Sequence, residues 1–172
     1  DRHGLAVVTE VMSEAEVDGV SAVADMLQIG SRNMQNFALL RAAGQMHKPV
    51  LLKRGMAATV EEWLLAGEHL LEAGASGVVF CARGISGFDP HTRNLLDLGA
   101  VALLTSVYNL PVVVYPSHAV GRRDLIPSLA KASLAVGASG LMIEAHVDPS
   151  KALSDGAQAL SPDTLSTLGF SR

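Results

Sequence analysis

The sequence predicts an α/β fold built on a parallel sheet, and three observations point to it. Short β-branched apolar runs recur along the 172 residues, each followed by a polar or glycine-containing turn and then an amphipathic, Ala/Leu-rich stretch. The runs do not alternate with polar residues, as expected of strands covered by helices on both faces. After each run comes a side chain capable of chemistry: Glu10, Gln28 with Arg32, Lys53 with Arg54, Arg83, His118, and Glu144 with His146.

Taken in order, the strands are expected at Leu5 to Thr9, Met26 to Ile29, Val50 to Leu52, Gly77 to Phe80, Val112 to Val114 and Gly140 to Ile143. Helical periodicity lies between them, near residues 13–23, 35–44, 59–73, 92–107 and 123–136. Thr59 followed three residues later by Glu62 reads as a capping box, and Gly44, Gly74 and Gly137 stand where helices should stop. Pro49 and Pro111 each precede a strand. The strings AGASG (Ala73 to Gly77) and VGASG (Val136 to Gly140) echo one another as helix-to-strand connections.

Six consecutive strand ends bearing functional groups favour a closed (β/α) barrel. There all strand C-termini converge on one face, whereas an open doubly wound sheet binds ligands only near its switch point. No GxGxxG follows the first run, which argues against dinucleotide binding. The expected class is therefore α/β, of the TIM (β/α)8 barrel family, with about six of eight βα units present. The chain reads as one incomplete barrel domain over residues 1–172, with no regulatory domain. The deficit is placed at the N-terminus, where Asp1-Arg2-His3-Gly4 reads as the end of a helix and its connection to a strand.

Composition narrows the partners. With 13 basic and 17 acidic residues the net charge is −4, and the basic residues are scattered, so no nucleic-acid surface or polybasic membrane anchor is expected. No apolar run approaches the roughly 20 residues of a membrane span, and no signal peptide opens the chain, so a cytoplasmic location is expected. The single Cys81 lies in an apolar strand with no His beside it and reads as a small buried hydrophobe rather than a nucleophile. Trp63 reads as helix packing.

Arg32, Lys53 and Arg83 place three cations on successive strand ends, an arrangement that calls for an anionic ligand such as a phosphate or carboxylate. The alternative is that each is a solvated rim residue paired with a local carboxylate. His118, Glu144 and Asp155 form a second constellation, whose mixed nitrogen and oxygen donors suit a divalent ion of the Mn, Fe, Co or Zn class. Spacing alone leaves open that His118 is a hydrogen-bonded structural histidine. His146 reads as a ligand, an acid/base group or a supporting residue, and Asp148-Pro149-Ser150 as a turn opening a helix.

The strings IGSRNMQN (Ile29 to Asn36), KPVLLKRG (Lys48 to Gly55), TRNLLDL (Thr92 to Leu98), SHAVGRRDL (Ser117 to Leu125) and EAHVDPSKALSDGAQ (from Glu144) closely resemble 3-deoxy-D-arabino-heptulosonate-7-phosphate (DAHP) synthase of the short bacterial type I-beta form. The resemblance runs in order along nearly the whole chain. It implies a metal-dependent (β/α)8 enzyme that condenses phosphoenolpyruvate with erythrose 4-phosphate at the first step of the shikimate pathway. On the matching positions it implies that Arg32, Lys53 and Arg83 hold phosphoenolpyruvate and that His118, Glu144 and Asp155 are three of four metal ligands. Lys53 and His118 are then the catalytic residues, Lys53 moving a proton. A 3-deoxy-D-manno-octulosonate-8-phosphate synthase-like enzyme is the first alternative, and a catalytically impaired, truncated relative serving in binding or assembly is the second. A homo-oligomer is expected.

The pattern departs from the family at named places. The family's Gly-Pro-Cys segment, which bears its fourth ligand, and its Lys-Pro-Arg segment have no counterpart. Ala82 stands where the family usually has Glu, Tyr115 where it has Asp, and Val147 where Pro is common.

Overall fold

The computed structural model describes residues 3–168. Its backbone forms two compact units, Asp1–Cys81 and Ala82–Arg172. Within the described residues no helix is long and apolar enough to cross a membrane.

The first unit is a parallel sheet with helical crossovers. Strands β1 (Val8–Val11), β2 (Met26–Ile29), β3 (Pro49–Lys53) and β4 (Gly77–Ala82, whose last residue opens the second unit) lie side by side in sequence order. Each pairs in parallel with the next, Val8 opposite Met26, Leu27 opposite Val50 and Lys53 opposite Cys81. The crossovers are α1 (Val17–Ser21, entered through a 3-10 turn at Glu14–Glu16), α2 (Phe37–Gly44) and α3 (Val60–Glu72). Leu27, Ile29, Leu39, Leu40, Leu52, Trp63 and Leu70 are fully buried between sheet and helices. The Trp63 indole N–H donates to the Leu52 carbonyl at 3.1 Å, and its ring meets Phe80 edge-on at 5.2 Å. Trp63 is thus packing, as its helical position suggests, with its one polar atom satisfied. Lys48 bridges the α1 to β2 connection, its ammonium donating to the carbonyls of Ser21 and Ala24.

The Thr59 and Glu62 capping box forms in full: the Thr59 hydroxyl accepts from the Glu62 N–H, and the Glu62 carboxylate accepts from the Thr59 N–H at 2.8 Å. Gly74 and Gly137 take the positive φ values of 113° and 96° that helix ends require. Gly44 does not. It is the last residue of α2, and the left-handed position falls instead at His47, φ 56°, whose Nδ1 bonds the Gly74 carbonyl at 3.0 Å. A Cβ on Gly44 would lie 2.6 Å from the Ala73 Cβ and 2.8 Å from the Leu70 carbonyl oxygen, so its smallness serves close approach of α2 to α3.

The first strand is displaced from its expected range, Leu5 to Thr9, to Val8–Val11. Pairing sets the difference. β2 begins at Met26, and Val8 is the residue opposite it. Val7 is spent in holding the turn, its N–H on the Asp25 carboxylate at 2.7 Å and its carbonyl on the N–H groups of Asp25 and Met26. β3 is buried from Val50 to Lys53, whereas β1 buries only Val11 and has only β2 as a neighbour within this unit. Burial on both faces therefore holds for β3 and for the end of β4, whereas β2 alternates buried with half-buried residues and β1 is buried only at its end.

The second unit contains α4 (Leu98–Ala102), continued as a π-helical turn at Leu103–Val107, then β5 (Val112–Val114), α5 (Pro116–Val120), α6 (Ile126–Ala135), β6 (Gly140–Leu141) and α7 (Pro162–Ser166). β5 and β6 pair in parallel, Val113 opposite Gly140. Ala119, Val120, Ile126, Leu160 and Leu168 form a core against which Leu96, Leu125, Leu129 and Ile143 pack. The helix expected over residues 92–107 starts only at Leu98, because Leu95 forms an antiparallel bridge to Ile85 and Asp97 caps the helix by accepting from the Ala100 N–H at 2.9 Å. β6 is shorter than the expected Gly140 to Ile143. Beyond it Glu144 and Ala145 turn to the 158–160 segment, through the Leu160 N–H to Glu144 carbonyl bond and an Ala145 to Leu160 bridge. Two short helices, α5 and α7, carry too few residues for helical periodicity to reveal.

Candidate active site

The second unit assembles the nitrogen and oxygen donors. His118 lies on α5, one turn after β5; Glu144 follows β6; Asp155 stands in the loop beyond. One ligand atom from each lies within 4.8 Å of the others. The backbone fixes each donor. Asn94 Nδ2 donates to the His118 carbonyl at 3.0 Å, and the Asn94 N–H donates to the Ala119 carbonyl at 2.7 Å. Gly84, φ 93°, lets its loop reach α5, since a Cβ there would lie 2.9 Å from the Ala119 Cα. The Ser117 hydroxyl accepts from the Glu144 N–H at 3.0 Å, so Ser117 ties the two segments together and forms no dyad with its neighbour His118. Asp155 adopts φ 55°, a left-handed conformation that Asp tolerates better than most residues.

The carboxylates are oriented as well as placed. Asp155 Oδ1 accepts from Gln158 Nε2 at 3.2 Å and from Arg93 at 3.4 Å, leaving Oδ2 turned toward His118 Nε2 at 3.3 Å. Glu144 Oε1 lies 3.6 Å from the same nitrogen and accepts a hydrogen bond from the Tyr115 hydroxyl. The Tyr115 ring stacks on the His118 imidazole at 4.4 Å and 21°. Although two carboxylates face it, buried His118 Nε2 is aligned for a hydrogen bond with neither. Burial pushes the His118 imidazole below its ordinary value of 6.5; Asp155 opposes this, and the Arg83 and Arg93 charges reinforce it. An imidazole nitrogen set 3.3 Å and 3.6 Å from two carboxylate oxygens is a mixed donor set that fits a divalent cation.

His146 does not join this set. Its Nδ1 accepts from the Asp148 N–H at 3.0 Å, and Asp148 in turn caps the 3-10 turn Pro149–Lys151 by accepting from the Ser150 N–H, so His146 organises the loop.

The cations are distributed along strand ends. In the first unit Arg32 is exposed on the 3-10 turn Ser31–Asn33 that follows β2, beside a hollow of about 220 Å³ also lined by Gln35, Gly55 and Glu62. Lys53 ends β3 and is 8% exposed. Arg54, next to it, is equally buried, its Nε donating to the Ala58 carbonyl at 3.0 Å while the guanidinium lies 5.7 Å from the Trp63 ring centre. Glu10, in β1, accepts from Gln28 Nε2 of β2 at 2.8 Å. In the second unit Arg83 follows β4, is 6% exposed, and its charge is felt at His118. Cys81 is buried, as a strand hydrophobe should be. Arg93 and Gln158 are site residues that strand-end reasoning passes over, because neither follows a strand: Arg93 reaches Asp155 from 62 positions away and Gln158 from three positions further along the same loop.

The second unit thus carries a His/Glu/Asp group after parallel strands that could hold a metal ion. Comparison with known proteins gives the family: the DAHP synthetase I family pattern matches residues 1–170, and the chain belongs to that family. It is 49% identical over 160 residues to the phospho-2-dehydro-3-deoxyheptonate aldolase of Thermotoga maritima, an alignment covering 93% of this chain and 47% of that protein. The 2-dehydro-3-deoxyphosphooctonate aldolase of Bordetella petrii is more distant, at 33% identity over 187 residues, with 98% of this chain and 64% of that protein covered. A solved structure described as a truncated form of 3-deoxy-D-arabino-heptulosonate 7-phosphate synthase from Thermotoga maritima superposes with a TM-score of 0.95 at 47% identity, covering 98% of this chain and 64% of that one. The fold class is thus the TIM-barrel class of that synthase, represented by six βα strands. The chain spans about half the length of the Thermotoga aldolase.

Proposed function

We propose that this chain carries the cation-binding and phosphoenolpyruvate-binding parts of a synthase that joins phosphoenolpyruvate to erythrose 4-phosphate, giving 3-deoxy-D-arabino-heptulosonate 7-phosphate and phosphate. The observation that carries the reading is the convergence of His118 Nε2, Glu144 and Asp155 on one point. Identity of 49% to a heptonate aldolase, against 33% to an octonate aldolase, favours the four-carbon aldose over the octulosonate alternative.

In this reading Arg32, Lys53 and Arg83 bind the phosphate and carboxylate of phosphoenolpyruvate. Lys53 and Arg83 do so from buried positions, where a charge-assisted bond is strongest. His118, Glu144 and Asp155 hold a divalent ion of the Mn, Fe, Co or Zn class, and Lewis-acid polarisation of an aldehyde is the chemistry such an ion supplies when bound. C3 of phosphoenolpyruvate forms the new carbon–carbon bond to the aldehyde carbon, whose oxygen takes up a proton. Water adds at C2, and the C2–O bond breaks as phosphate departs. Lys53 Nζ is the group assigned to proton transfer beside the bound enol. A homo-oligomer, a cytoplasmic setting and a single barrel domain belong to the same proposal.

The test is calorimetric titration of phosphoenolpyruvate with and without manganese, followed by assay of phosphate release on adding erythrose 4-phosphate. Turnover that depends on the ion and is lost in His118→Ala supports the synthase. Ion-dependent binding with no turnover would instead favour a binding or assembly relative, and no binding to a folded chain would refute the site.

A further inference from the structure

Tyr115 is a departure from the family's usual residue, and it touches two of the three donors. It is buried, 3% exposed, at the junction of β5 and α5, where its backbone N–H donates to the Ala82 carbonyl at 2.8 Å. From that fixed point its ring lies parallel to the His118 imidazole and its hydroxyl donates to Glu144 Oε1, the oxygen that faces His118 Nε2. A phenol has two rotatable torsions, so a side chain held at its backbone, along its ring face and at its hydroxyl has little freedom left.

We infer that Tyr115 is a positioning residue of the cation site, clamping His118 by its ring face and Glu144 by its hydroxyl so that nitrogen and oxygen meet an incoming ion in a fixed geometry. The inference rests on the proposed metal site and adds a residue to it. An acidic residue at this position would bring a further negative charge among the carboxylates. Tyr115 places a hydroxyl donor there instead, and the orientation of Glu144 is set by that hydrogen bond. Groups that orient metal ligands in this way change affinity by about 10- to 100-fold when removed.

Two variants separate the functions of the ring and the hydroxyl. Tyr115→Phe keeps the stack and removes the donor, and Tyr115→Leu removes both. Manganese affinity should fall about tenfold in the first and further in the second, and the visible spectrum of the cobalt-loaded protein should shift in both while the thermal midpoint without metal moves little in Tyr115→Phe. A measurement on the intact site guards against misfolding of either variant. In a Tyr108→Phe background, Tyr115 is the one remaining tyrosine. Zinc should then produce a tyrosine difference spectrum as Glu144 turns part of its charge to the ion.

Manganese affinity within twofold of wild type in a folded Tyr115→Phe protein, with an unchanged cobalt spectrum, would overturn the inference while leaving the metal site standing. A ferric charge-transfer band present in wild type and absent from Tyr115→Phe would overturn it differently, by making the phenolate a ligand. Failure of wild type to bind manganese or cobalt would overturn the metal site itself and this inference with it.

Discussion

Replacing Gly44 by Ala should destabilise the protein, while replacing Gly19 by Ala should stabilise it, although both glycines are helical. Alanine gains about 1 kcal/mol over glycine in a helix interior, and less near an end. At Gly19, an exposed position in α1, a Cβ meets nothing within 4 Å, so the gain stands at roughly 0.5–1 kcal/mol. At Gly44 the Cβ would lie 2.6 Å from the Ala73 Cβ, 2.8 Å from the Leu70 carbonyl oxygen and 3.3 Å from the Ala73 carbonyl carbon. Carbon atoms in contact sit about 3.5–4.0 Å apart, so α2 and α3 must separate by roughly 1 Å. Two of the three obstructing atoms are backbone, and none can rotate away. Overpacking of this kind costs about 1–3 kcal/mol, which outweighs the propensity gain and leaves Gly44→Ala about 1–2 kcal/mol less stable. The two variants should then differ by about 2 kcal/mol, roughly 30-fold in folding equilibrium. Urea unfolding followed by far-ultraviolet circular dichroism would measure it, provided the slopes agree. A Gly44→Ala midpoint at or above that of Gly19→Ala would refute the close-approach explanation and return Gly44 to the status of an ordinary helix-end glycine.

Other outcomes are expected on the same footing. Thr59→Ala should cost about 1 kcal/mol by removing the side-chain cap of α3. The Glu62 carboxyl is held below its ordinary 4.5, chiefly by the Thr59 N–H and then by the Thr59 hydroxyl, so its contribution is present above that value and lost as pH falls through the lowered one; acid titration of the two proteins should show their stability gap narrowing. Lys53→Ala should weaken phosphoenolpyruvate binding by tenfold or more, and unchanged affinity in calorimetry would remove Lys53 from the anion site. Burial lowers the His118 imidazole below 6.5, so that ring stays unprotonated to a lower pH than an exposed histidine; manganese affinity should therefore hold as pH falls through 6.5 and decline only below it. His118→Ala should abolish stoichiometric manganese binding, which titration followed by electron spin resonance would check.

How far the sequence reveals the structure depends on the range of the forces involved. Thr59 and Glu62 are read without error because a capping box is complete within four residues. The register of β1 is not, because Val8 is selected by Met26, and a run as uniformly apolar as LAVVT offers no local mark of where pairing begins. Gly44 is read rightly as the end of α2, but its second role is hidden for a related reason: a helix-end glycine and a glycine at a helix crossing look alike until Ala73 is seen against it. In the candidate site, His118 and Glu144 are legible as donors after apolar runs, and Asp155 as a carboxylate in the loop beyond. Their orienting groups, Arg93, Gln158 and Tyr115, are not, since side-chain geometry selects them, whether the partner is 62 positions away, as for Arg93, or three, as for Gln158. Tyr115 does announce itself in the sequence as a departure from the family pattern, but only the structure shows that it touches both His118 and Glu144.

The three donors also have a meaning for how the site forms. Glu144 follows His118 by 26 positions and Asp155 follows Glu144 by 11, all within the unit Ala82–Arg172. Loop-closure entropy grows only as the logarithm of the intervening length, about 0.6 kcal/mol per doubling, so these are inexpensive loops to close. If the three residues hold a divalent ion as proposed, that ion would cross-link segments of the second unit and stabilise its folded form by mass action.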